Sequence, residues 1–98
     1  MSDGLSLSIF TIESDRRPIA AVPGKKQSEA EAILNDEYLR EQFRLLRSGG
    51  KPLCDDFSIL RLRIARPEER ALYYENVSAL LTANGHLAVL LVKLDDLS

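Results

Sequence analysis

In this 98-residue chain the side chains best suited to recognising a charged partner are two pairs of arginines: Arg16 and Arg17, and Arg61 and Arg63. A guanidinium is planar, permanently charged and rich in N–H donors, so clustered arginines match the paired oxygens of a phosphate or carboxylate. In residues 57–65 (FSILRLRIA), Leu60, Leu62 and Ile64 alternate with Arg61 and Arg63. Strand geometry then puts both guanidinium groups on one face and the aliphatic groups on the other. The aromatic stacking positions of an RNA-binding sheet are missing from this run. Another set, Arg40, Arg44 and Arg47, recurs at i, i+4 and i+7. Asp36 and Glu37 lie about a turn upstream, so intrahelical ion pairs account for these arginines without a ligand.

Nucleophilic catalysis asks for a base within hydrogen-bonding reach of the nucleophile. Cys54 is the one cysteine and His86 the one histidine. A Cys54–His86 pair oriented by Asp55 or Asp56 can be written down, but almost any chain with one of each allows the same. The simpler accounts are a structural thiol and an imidazole at a turn, so no catalytic residue is assigned. A metal site wants three or four ligands at loop or helical spacing. Asp55-Asp56 and Asp95-Asp96 are adjacent pairs outside any EF-hand pattern and read as solvated turns, so neither a metal nor a cofactor is expected. Pro23-Gly24-Lys25-Lys26 has one glycine and no Walker spacing, and a solvated turn explains it better than an anion cradle does.

The elements that would carry these residues follow from periodicity. Leu5, Leu7 and Ile9, then Phe10 and Ile12, alternate with polar residues and change face midway, which predicts a strand with a bulge near Ile9 and Phe10. Residues 14–17 are a turn and 18–22 a second strand, giving a hairpin. Residues 28–48 form the principal helix: Ser28 and Glu31 match a capping box, Gly49-Gly50 supplies the stop, and apolar residues recur at spacings of three and four. Asn35 and Asp36 interrupt it, and a restart with Asp36 as a new cap is the alternative to one continuous helix.

After an irregular segment and the 57–65 strand, Arg66-Pro67-Glu68-Glu69 opens a second helix. Its stripe is Tyr73, Tyr74, Val77, Leu80 and Leu81, and Asn84-Gly85 ends it. Residues 87–92 (LAVLLV) suit a central strand covered on both faces, and 93–98 are a frayed end. The fold class is α+β: a four-stranded mixed sheet with two helices packed on it, both placed on one face, in the order β-β-α-β-α-β, forming a single domain over 1–98.

Composition is that of an ordinary globular protein, with 45% hydrophobic and 29% charged residues. A net charge of −2 argues against nucleic acid as the partner. No stretch has the length of a membrane span or the layout of a signal peptide, and a lone cysteine fits a reducing compartment, so a cytoplasmic protein without a membrane partner is expected.

The segments GKPLCDD (50–56), LRIARPEE (62–69) and LAVLLVKLDD (87–96) resemble a group of short bacterial proteins of unknown function, and that resemblance brings no functional residues. The strand-strand-helix opening resembles, in topology alone, small antitoxin-like domains, without their DNA-binding appendage. The function expected is a non-catalytic domain that acts through protein contacts. It pairs with itself through the first strand or an open sheet face, or binds another protein. The alternatives are a regulator holding an anionic partner through Arg61, Arg63, Arg16 and Arg17, and a small enzyme using Cys54 or His86.

Overall fold

The computed structural model describes residues 8–75, 78–83 and 85–95; Leu5, Leu7, Val77, Asn84 and residues 96–98, on which parts of the sequence reading rest, lie outside them. The first half runs β1 (Ser8–Ser14), β2 (Arg17–Gly24), α1 (Gln27–Leu34), α2 (Glu37–Leu45), β3 (Arg47–Ser48) and β4 (Lys51–Pro52). The second runs β5 (Leu60–Ile64), α3 (Pro67–Glu75), β6 (Ala79–Leu81) and β7 (Leu87–Leu90).

The α+β class holds, but the sheet is five-stranded in the order β5-β1-β2-β7-β6, and every pairing in it is antiparallel. It is therefore neither four-stranded nor mixed. β1 and β2 form the expected hairpin, closed by Asp15 and Arg16 at φ 52° and 73°. Two consecutive left-handed residues give the tight turn whose twist matches paired strands. β5 joins the outer edge of β1 and β7 that of β2, so the two strands that flank α3 are not neighbours and no parallel crossover is needed.

The change of face in β1 is explained by burial rather than by a bulge at Ile9 and Phe10; the register shift lies between Ile12 and Glu13. Phe10 and Ile12 join Ala20, Val22, Ala88 and Leu90 in a core completed by Ala30, Ile33, Leu39 and Phe43 of α1 and α2. Ile9 and Ala21 face the other way, against Ala65 and Tyr73. The helices thus lie on opposite faces, not on one. A strand apolar on both sides needs cover on both sides.

The principal helix is two helices, because Asp36 restarts it: its Oδ1 accepts from the Leu39 N–H at 2.8 Å as N-cap of α2. That bond satisfies a donor that the first turn of any helix leaves unpaired. Ser28 forms no capping box, since the N-cap of α1 is Lys26 and Glu29 accepts from the Lys25 N–H at 2.9 Å. The arginines do not pair with Asp36 or Glu37. Arg40 Nε donates to Leu34 O at 2.9 Å, Arg44 pairs with Glu41 at 3.0 Å, and Arg47 donates to Gly50 O at 3.1 Å.

Gly49 and Gly50 do not stop the helix, which ends at Leu45; at φ 67° and 81° they turn the β3–β4 ribbon. The Asp95 carboxylate accepts from both their N–H groups, at 2.9 and 2.8 Å, so residues 93–95 are tied down rather than frayed. Leu80 and Leu81 leave the expected second helix and form β6. Pairing with β7 satisfies the backbone of a buried strand that would otherwise present an unpaired edge.

β1 is hydrogen-bonded along both edges and helices pack on both faces of the sheet. Within residues 8–14 the first strand therefore offers no free edge to a second copy, and the core region of each sheet face carries a helix. The sheet edges are β5 and β6.

Candidate edge-strand interface

The side chains of β5 divide as its alternation requires. Leu60 and Leu62 pack against the main core, while Ile64 is 63% exposed. On the other face Arg63 is half-buried, and its guanidinium is taken up by carboxylates of its own chain. Its Nε donates to Glu13 Oε2 at 2.7 Å, and Nη1 and Nη2 donate to the two Glu69 oxygens at 2.8 and 2.9 Å. Glu69, 7% exposed, also accepts from Thr11 Oγ1 and from the Arg66 N–H, each at 2.8 Å. A buried carboxylate is stable only when its lone pairs are satisfied in this way. The hydrogen bonds from Arg63 outweigh burial and hold the Glu69 carboxyl well below its ordinary range, at about 2. The same bonds raise Arg63 above its ordinary value. With Glu13, the cluster has two carboxylates against one guanidinium and so a net negative charge.

Arg61 behaves differently. It is exposed, it has no ion pair among the described residues, and with Asp15, Arg16 and Ile59 it lines a shallow depression of about 220 Å³. Arg17 lies apart from that pair, donating to Ser48 O at 3.3 Å beside a neighbouring cleft of about 470 Å³ that Lys51, Asp55 and Ser58 also line. Of the four arginines singled out in the sequence, Arg16 and Arg61 are brought together, Arg17 faces the next cleft, and Arg63 is held by Glu13 and Glu69. The roles of Glu13 and Glu69 were missed. In the sequence Glu69 belongs to the helix start at Pro67 and Glu13 to the polar alternation of the first strand, and the long-range pairing of β1 with β5 is what brings them to Arg63.

The backbone of β5 has a polarity of its own. Ala65 N–H donates to Ile9 O at 2.9 Å and Asp15 N–H to Ile59 O at 3.0 Å, and the register keeps Thr11 opposite Arg63 and Glu13 opposite Arg61. Odd-numbered residues therefore direct their N–H and C=O groups at β1, and Leu60, Leu62 and Ile64 direct theirs outward. Among the described residues the one partner on this outer edge is the Arg63 guanidinium, which donates to Ile64 O at 3.1 Å. Phe57 and Ile59, 92% and 61% exposed, extend the apolar surface beyond the strand.

Cys54 is buried, with Sγ 3.9 Å from Arg40 O, and burial pushes its thiol pKa up. The charged groups that act on it are Arg44, Arg40, Asp55 and Asp56; His86 is not among them. His86 is exposed in a groove with Pro23, Gly24, Glu29, Ala32 and Ile33. The structure does not assemble a nucleophile–base pair from these two residues. Among the described residues no three His, Cys, Asp or Glu side chains cluster as a metal site would require, and no helix is long and apolar enough to cross a membrane. No protein-family model, curated protein or solved structure matches the chain.

Proposed function

We propose that this domain is a non-catalytic protein-interaction module that receives another polypeptide strand along β5. The observation that carries the reading is the outer edge of β5, where outward-facing backbone groups run beside exposed Phe57, Ile59 and Ile64. An uncovered edge is a template for a further strand, and the five residues of β5, although they carry two arginines, leave their outer backbone uncovered among the described residues. A cytoplasmic setting, in a bacterial cell as the sequence resemblance suggests, is part of the same proposal and keeps Cys54 reduced.

The test is capture from a native lysate at low and moderate salt, comparing the unaltered chain with Ile64→Pro. Ile64 is exposed and its N–H faces outward, so proline removes an edge donor while the β1 ladder keeps its own bonds. A protein held at both salts by the unaltered chain and lost by the variant supports the reading. Equal capture by both refutes it.

A second reading is favoured by the pairing of Arg16 with Arg61 around one depression. The domain would then regulate or recognise an anionic partner there, with Arg17 at the adjoining cleft and Arg63 acting through its cluster rather than by direct contact. An eluate of nucleic acid or a phosphorylated ligand that washes off with rising salt, and is lost in Arg16→Glu and Arg61→Glu variants, supports this second reading.

A further inference from the structure

We infer that the strand received along β5 is β5 of a second copy of this chain, paired antiparallel about a two-fold axis at Leu62. The inference rests on the reading of β5 as the contact edge and names its occupant and register. Antiparallel strands exchange hydrogen bonds between residues whose polar groups point at each other. On this edge those residues are Leu60, Leu62 and Ile64, so only even-numbered positions pair across the axis.

An axis at Leu62 engages all of them, with Leu62 opposite Leu62 and Leu60 opposite Ile64 of the other copy, whose carbonyl would accept on its second lone pair beside the Arg63 guanidinium. An axis at Arg61 or Arg63 leaves one of them without a partner inside the strand. The register at Leu62 also covers exposed Ile64 with the other copy's half-buried Leu60.

On the opposite face, Arg61 comes to lie across from the other copy's Arg63. That guanidinium is already outnumbered by Glu13 and Glu69, so Arg61, which has no ion pair among the described residues, meets a cluster with net negative charge. The two-fold axis repeats the contact. The other sheet edge offers less, because β6 has three residues against five in β5.

Sedimentation velocity from low to high micromolar concentration reads the stoichiometry, and disulfide trapping reads the register. In a Cys54→Ser background, Leu60→Cys and Ile64→Cys chains are oxidised separately and as a mixture. Directly opposed residues in such a pair lie about 5.5 Å apart at Cα, inside the disulfide range. The expected result is a dimer, with a covalent dimer in the mixture and little in either single variant. Arg61→Glu, an exposed substitution that spares the core, is expected to weaken the dimer at least about tenfold. A dimer that neither cross-links in the mixture nor responds to Arg61→Glu overturns the proposed register.

A monomer at every concentration overturns self-pairing altogether. The Ile64→Pro comparison then separates the two ideas: capture lost in that variant leaves β5 as a contact edge for a different protein, and unchanged capture removes both.

Discussion

Replacing Glu69 by Gln tests the claim that the charge cluster beside β5 holds α3 to the sheet. Gln keeps the shape and an acceptor for Thr11 and the Arg66 N–H, and removes the negative charge between the two Arg63 nitrogens. The carboxyl pKa falls from an ordinary 4.5 to about 2 on folding. At about 1.4 kcal/mol for each tenfold change, the folded state gains about 3 kcal/mol from the ionised form. Because the folded pKa is the lower one, that stability is present above pH 4.5 and is lost as pH falls toward 2. Urea unfolding followed by circular dichroism at 222 nm should show Glu69→Gln less stable by about 2–3 kcal/mol at pH 7. The gap should close between pH 5 and pH 2, where the unaltered chain becomes protonated too. A deficit that stays constant across that range, or one below about 0.5 kcal/mol at pH 7, would refute the argument, because neither fits a charge held by Arg63.

Asp36→Ala removes the N-cap of α2 and should cost about 1 kcal/mol in thermal or urea unfolding, with helix content falling near residues 36–39. In Gly24→Ala the added Cβ would sit 2.8 Å from Lys26 O and 3.1 Å from Ala30 N, both backbone atoms, so α1 must shift and stability should fall by about 1–3 kcal/mol. Native Cys54 should react with a thiol-specific disulfide reagent at least roughly tenfold more slowly than the urea-unfolded chain, since burial both shields it and disfavours the thiolate. Equal rates would show that the thiol is accessible.

What the sequence made legible was local. The β1–β2 turn, the β5 alternation and the Pro67 helix start each rest on residues within a few positions of one another, and each forms. The Asp36 cap is as local, but one stripe of apolar residues running across it, Leu34 to Tyr38, made a single helix look continuous. In the fold Tyr38 is 57% exposed, so that stripe was not a buried face. The assignment of Leu80 and Leu81 to a helix failed for a longer-range reason. Their spacing suits a helix, yet β7 lies buried in the sheet and needs a partner on its outer edge, a demand that comes from the whole sheet.

The site divides in the same way. Strand parity alone places Arg61 and Arg63 on one face, and it cannot tell them apart. What separates them is the distant chain: Glu13 from β1 and Glu69 from α3 converge on Arg63, while among the described residues Arg61 receives no such partner. The same parity that put the arginines together turns Leu60, Leu62 and Ile64 outward along the backbone. Among the described residues one alternating run therefore supplies a charged cluster short of one cation, a cation without an ion pair, and a row of outward hydrogen-bonding groups of which only Ile64 O has a partner. A two-fold axis at Leu62 brings all of these into register at once, and the mixed Leu60→Cys and Ile64→Cys cross-link tests that coincidence directly.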